Sequence, residues 1–215
     1  MGSLLYLTHT RPDLVHAIGV VSRYMHNPSA HHLGAVKRIL HYVAGTINFG
    51  LQYEHVNQFR LCGCPNSDWE GYVDNRKSTS GWMFTLGSAA IAWSSKKQDI
   101  TALSSTEAEY ISATLAVCQV VWLKRLLEGL NLKQCDPTVI LRDNKSAISI
   151  VKNPAMHRRT KHIDTRFHFI RGLVAEGEIH LIHCGTNDQT TDILTKALST
   201  QKHERFRAAL GVRSF

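Results

Sequence analysis

Apolar residues recur at Leu14, Val15, Ile18, Val21 and Met25 with the three-and-four spacing of an amphipathic helix. Thr10 stands ahead of them as a cap, with Pro12 and Asp13 in the first turn, and Asn27-Pro28 ends the run. Ser29 opens a second helix carrying Leu33, Val36, Ile39, Leu40 and Val43, which Gly45 closes. Ile47, Phe49, Leu51 and Tyr53 then alternate as in a strand. Two amphipathic helices must bury their stripes on each other, on the following residues, or on a body outside this chain.

Beyond about residue 58 the period changes. Phe59 to Cys64 reads as a strand, with Pro65 placed awkwardly at its end. Gly81 to Thr85 and Ala89 to Ser94 read as two more strands around the turn Leu86-Gly87-Ser88, so three antiparallel strands are expected. Thr106 to Gly129 has helical spacing, with Leu115, Val121, Trp122, Leu126 and Leu127 at apolar positions. A short buried strand at Val139 to Leu141, a helix from Asn144 to about Lys152, and a helix over Thr160 to Ala175 follow. A strand at Ile179 to His183 and a helical part from Asp188 to Leu210, broken near Ser199, complete the chain. The alternation predicts an α/β domain: a mixed sheet with helices packed on it, preceded by a small helical segment. Residues 1–57 and 58–215 are expected as its two parts.

Composition narrows the class. The chain has 215 residues and an ordinary apolar fraction of 43%, enough for a real core. No apolar stretch is read as approaching the roughly 20 residues that span a bilayer, and the first residues lack the features of a signal peptide. Tyr6 stands where a myristoylation signal wants Ser or Thr. The expectation is an intracellular protein, cytoplasmic or nuclear, with no membrane partner. The five cysteines are scattered, and Cys62-Gly63-Cys64 lacks metal-knuckle or redox spacing, so free thiols are expected. The net charge of +8 points first to nucleic acid as a partner.

Several carboxylates fall at strand ends or on the helix facing them: Asp68, Glu107, Glu109, Asp143 and Asp192. Acids from separate elements that converge would repel one another unless cations joined them. Such a cluster is what two Mg²⁺ ions about 4 Å apart need to activate water and stabilise a leaving oxygen in phosphodiester cleavage. Any single acid here can equally be a solvated charge or a helix cap, the preferred reading for Glu107 and Asp188.

Five blocks resemble the signature of copia-type ribonuclease H domains, in order and at matching spacing. They are Arg76-Lys77-Ser78-Thr79-Ser80-Gly81, Trp93-Ser94-Ser95-Lys96-Lys97-Gln98, Ala102 to Tyr110, Arg159-Thr160-Lys161-His162-Ile163-Asp164 and Asp192-Ile193-Leu194-Thr195-Lys196. Gly2 to Leu7 and Thr10-Arg11-Pro12-Asp13 resemble the end of the reverse transcriptase that precedes that domain in copia-type Pol polyproteins. The resemblance implies a ribonuclease H-like five-stranded sheet and Mg²⁺-dependent cleavage of RNA in RNA/DNA hybrids. It places the metal-binding carboxylates at Glu109, Asp143 and Asp192, and implies a polymerase portion as a further partner.

One position departs from the pattern. The resemblance aligns Asn66, in Cys64-Pro65-Asn66-Ser67-Asp68-Trp69-Glu70-Gly71, with the strand carboxylate that ligates metal. Asn keeps the shape and removes a negative charge, so metal affinity and water activation are expected to fall. Pro65 removes a backbone donor beside it. Asp68 shares a face with Asn66 and is a conceivable substitute, but lies about 6–7 Å along an extended strand. His183 is read as a packing or surface residue. Trp93 and Trp122 are read as core.

The basic residues Arg158, Arg159, Lys161 and His162, with Arg76, Lys77, Lys96 and Lys97 at strand turns, are candidates for contact with hybrid phosphates. Three readings remain open: a ribonuclease H weakened by Asn66, a nucleic-acid-binding remnant without metal chemistry, and a transposon fragment without function.

Overall fold

The computed structural model describes residues 1–69, 71, 76–145, 148–149 and 161–215, with only the backbone described for 161–167. Three helices come first: α1 (Gly2–Leu7), α2 (Val15–Ser22) and α3 (Ala30–Gly45), with a 3-10 turn at Pro12–Leu14. Ser29 caps α3: its hydroxyl accepts from the His32 amide while its own amide donates to His32 Nδ1. Leu14, Ile18, Val21 and Ile39 bury together with Leu4, whereas Met25, Leu33 and Leu40 of the expected stripes are exposed.

The strands β1 (Phe49–Leu51), β2 (Leu61–Asp68), β3 (Thr79–Leu86), β4 (Ala89–Lys97), β5 (Thr138–Arg142), β6 (Ile179–His183) and β7 (Val212–Ser214) form two sheets. The larger sheet has five strands in the order β4-β3-β2-β5-β6. Its first three strands are antiparallel, as the sequence predicts, and β5 and β6 continue parallel to β2. The β3–β4 hairpin turns at Gly87, whose φ of 72° suits a residue without a side chain. β2 runs four residues past its expected end at Cys64, through Pro65 and Asn66 to Asp68. The bonded pairing of β2 with β5 covers Cys62 and Gly63, while β3 pairs with β2 across Pro65, so the missing Pro65 N–H falls beyond the bonded part of the β5 side.

Helix α4 (Ser105–Gly129) lies across this sheet, capped by the Ser104 hydroxyl on the Glu107 amide. Ala113, Ala116, Val117 and Val120 pack against Phe84 and Ile140 in the main core. Leu115, Trp122 and Leu126, read as apolar helix positions, are exposed at 45%, 55% and 44%; the buried face of α4 is made of small residues and valines instead. Trp93 is partly buried and donates to the Thr8 carbonyl at 3.0 Å. α4 also corrects the expectation about apolar stretches: by length and composition alone it could cross a membrane. Its buried residues place it as the helix the sheet packs on.

Helices α5 (Lys161–Ala175) and α6 (Thr200–Ala209) follow, the second capped by Ser199. Between β6 and α6 the chain forms two 3-10 turns, Thr186–Asp188 and Thr190–Leu194, rather than the continuous helix expected from Asp188. The expected helix from Asn144 to Lys152 falls largely outside the described residues.

The amino-terminal helices bury themselves on one another and on the domain. β1 pairs with β7, joining residue 49 to residue 214. Arg11 and Asp13 form a buried two-pronged ion pair at 2.9 and 2.8 Å, and the Tyr42 hydroxyl donates to Asp13 at 2.8 Å. Arg207 of α6 reaches the same hydroxyl at 3.1 Å. His16 lies in α2, and burial, with Arg23 adding repulsion, pushes its pKa down to about 4. The folded chain therefore keeps His16 neutral while the unfolded chain protonates it near 6.5. Stability from this group is complete above 6.5 and is lost as pH falls toward 4. The loss is expected to reach about 3 kcal/mol, read as a falling melting temperature that a His16→Leu variant flattens.

Candidate functional site

The carboxyl-terminal end of β2 carries Asn66, which is 2% exposed. β3 lies beside it, and Gly81 opposite Asn66 leaves room for the turn Thr190–Leu194. A Cβ on Gly81 would sit 2.6 Å from Thr195 Cγ2. This close approach lets Asp192 come over the strand end, where its carboxylate is wholly buried. α4 supplies Glu109 from its second turn, and Ser112 one turn on donates to the Asn66 carbonyl at 2.5 Å. Asp143 follows β5 directly and is half-buried.

The predicted site residues do converge. Asn66 Nδ2 donates to Asp192 Oδ1 at 2.6 Å and to Thr195 Oγ1 at 3.3 Å, while Asn66 Oδ1 accepts from the Ser67 amide at 2.8 Å. The same Ser67 amide donates to Glu109 Oε1 at 3.2 Å. Glu109 is 8% exposed, and burial raises its pKa; Arg142 opposes that shift and the Asp143 charge adds to it. Asp68 is half-buried at the end of β2, its pKa also raised by burial, with Lys196 lowering it and Asp192 raising it. Glu107 accepts from the Leu103 amide at 2.8 Å, a capping contact in keeping with its preferred reading.

Three cations that the sequence reading did not single out complete the charge balance. Lys196 Nζ stands 2.8 Å from Asp192 Oδ1, and Lys202 Nζ stands 2.7 Å from Oδ2. Arg142 Nη2 pairs with Glu109 Oε2 at 3.0 Å. Lys202 lies in the first turn of α6, where its amide donates to the capping Ser199 hydroxyl. Arg142 had a sequence signal: Thr138, Ile140 and Arg142 are the inward positions of a strand with period two, so a charge there demands a partner.

The donor set does not fit two Mg²⁺ ions as it stands. Both Asp192 oxygens face ammonium groups, one Glu109 oxygen faces a guanidinium, and Asn66 turns its amide nitrogen toward Asp192. Among the described residues no group of three or more His, Cys, Asp or Glu is arranged to hold a metal ion. All five cysteines are free, and burial pushes Cys64 up to about 12 and Cys184 up to about 11, so neither is a thiolate at neutral pH.

The basic candidates divide. The β3–β4 register sets Thr79 opposite Lys97 and Ser80 opposite Lys96, so Arg76, Lys77, Lys96 and Lys97 gather at the sheet end that also carries Asn66 and Asp68. Arg76 and Lys96 are exposed. Arg158 and Arg159 lie outside the described residues, as do the side chains of Lys161 and His162. His183 Nε2 lies 3.2 Å from the Asp143 carbonyl, on an exposed strand end.

A five-stranded sheet in this order, crossed by α4 and with acids gathered at one strand end, defines a ribonuclease H-like fold. No family model matches the chain. It is 43% identical over its whole length to a retrovirus-related Pol polyprotein from transposon TNT 1-94 of Nicotiana tabacum, and 42% identical over 99% of its length to that from transposon RE1 of Arabidopsis thaliana. It spans 16% and 14% of those two polyproteins. Among solved structures, LC11-RNase H1 isolated from compost overlays 63% of this chain and 92% of its own, with 13% identity and a TM-score of 0.48. The chain belongs to a region of the copia-type retrotransposon Pol polyproteins, and that region has a ribonuclease H-like fold.

Replacing Asn66 by Asp exchanges a donor to Asp192 for a second buried carboxylate. An Asn66→Asp chain is expected to lose roughly 1–3 kcal/mol of stability in the presence of a chelator. Urea or thermal melts measure this, and equal or higher stability would contradict the charge balance described here.

Proposed function

We propose that this chain is a ribonuclease H domain whose Mg²⁺-dependent cleavage of RNA in RNA/DNA hybrids is strongly weakened, and which retains an electrostatic surface for nucleic acid. The observation that carries this reading is the contact from Asn66 Nδ2 to Asp192 Oδ1, at a position where the family resemblance implies two acids joined by metal. The roles of Asn66, Glu109, Asp143 and Asp192 as positions of the ancestral metal site, and of Asp68 as a possible substitute for Asn66, belong to this proposal. So does the assignment of residues 1–57 to the end of a reverse transcriptase, whose polymerase portion is then a natural partner. An intracellular site of action, cytoplasmic or nuclear, fits the same reading.

A second reading, that binding survives without cleavage, is favoured by the cluster of Arg76, Lys77, Lys96 and Lys97 beside the site. Such groups contact phosphates, positioning a duplex without reading its sequence. RNA/DNA hybrid is the partner the family suggests.

The test is cleavage of a labelled RNA/DNA hybrid in Mg²⁺, with Asp143→Asn alongside. The natural chain is expected to cleave only slightly faster than the Asp143→Asn variant. A Mg²⁺-dependent rate far above that of Asp143→Asn would contradict the proposal. In the same samples, hybrid binding is expected to weaken with salt, and exchange of Lys96 and Lys97 for Gln to reduce the salt slope by about one for each lost phosphate contact.

A further inference from the structure

We infer that Arg142 holds the place of a cation beside Glu109, so that Arg142 and Asn66 together, and not Asn66 alone, close this site to divalent metal. The inference rests on the reading of a weakened nuclease given above and names a second cause for it.

Arg142 is 1% exposed and is among the largest side chains wholly buried in the chain. It occupies the third inward position of β5, after Thr138 and Ile140, at the end of a core strand face. Its contacts are uneven. Nη2 donates both to Glu109 Oε2 at 3.0 Å and to the Glu109 carbonyl at 2.9 Å, while Nε is buried without a hydrogen-bond partner. A guanidinium chosen to bridge a carboxylate for stability uses two nitrogens on two oxygens, as Arg11 does with Asp13 in this same chain. Arg142 instead converges one nitrogen on one residue and leaves part of its fork unsatisfied. Glu109 is what holds the charge there, and it does so through the oxygen that faces away from Ser67.

The position also matters. Arg142 directly precedes Asp143, so the guanidinium enters from the strand that brings the next acid. Lys196 and Lys202 do the same for Asp192. A divalent ion on Glu109 Oε2 would have to displace a buried positive charge that already pairs with that oxygen. Returning a carboxylate to position 66 supplies one missing charge and leaves that obstacle in place.

The experiment uses the full chain in five forms: natural, Asn66→Asp, Arg142→Val, the two combined, and Asn66→Asp with the more volume-conserving Arg142→Met. Mn²⁺ and Mg²⁺ binding are measured by calorimetry and hybrid cleavage is followed in parallel, after a thermal melt confirms folding. The combined variant is expected to bind Mn²⁺ roughly tenfold or more tightly than either single variant, the coupling expected of positions joined in one network through Ser67 and Glu109. The Arg142→Met combination should show the same gain if the valine form fails to fold. Equal binding by Asn66→Asp and the combined variants would overturn the inference, while a silent natural chain would leave the reading of a weakened nuclease standing. Metal binding and cleavage by the natural chain would overturn both.

Discussion

A carboxylate with no exposure to water cannot keep its charge unless the protein answers it, and Asp192 is such a group. Its two oxygens are met by Asn66 from β2, Lys196 one turn further along and Lys202 from α6. These contacts fix the turn Thr190–Leu194 over the strand end and set the direction in which α6 leaves it. Glu109 makes the same demand from α4 and is answered by Arg142. Where a metal-dependent site would gather acids and let dications neutralise them, this chain supplies amide, ammonium and guanidinium groups of its own. Breaking such a buried pair typically costs about 3–5 kcal/mol, so these groups hold the strand end, the turn and α4 together.

The carboxyl-terminal segment carries this arrangement into the rest of the molecule. From α6, Phe206 and Leu210 bury beside Ile193 and Leu194, and Arg207 reaches the Tyr42 hydroxyl. Tyr42 in turn meets Asp13, which Arg11 holds. β7 then pairs with β1, so residues before and after 57 share one small sheet. Arg11-Pro12-Asp13, part of a segment that resembles the family, thus serves as a buried clamp between the first helices and the last one.

Much of this was legible in the sequence because local chemistry and tertiary packing agreed. Ser29 caps α3 where the sequence places it, Ser199 stands at the predicted break, and β6 falls where its alternation puts it, whereas Thr10 caps neither the 3-10 turn nor α2. Misreadings came where long-range contacts decided. The Thr190–Leu194 turn falls within a stretch predicted as helix, yet lies as a 3-10 turn where Asp192 and Thr191 bond to β2. β2 extends through Pro65 because β3 supports it and Gln189 donates to the Pro65 carbonyl. β7 is three residues long and has no periodic signal of its own. At the site, Asn66 stands out by its departure from a pattern, whereas the pairing of Arg142 with Glu109 joins residues 33 apart in the chain. Charge partners are fixed by three-dimensional proximity, and only the alternation Thr138, Ile140, Arg142 hinted at one.

The most direct test of this balance is a titration of the natural chain with Mn²⁺, followed by electron paramagnetic resonance of the free ion. Fixed internal cations predict no saturable site in the millimolar range and a spectrum indistinguishable from that of Asp143→Asn. Stoichiometric binding that Asp143→Asn removes would show that metal can still enter among these acids, and would contradict the account.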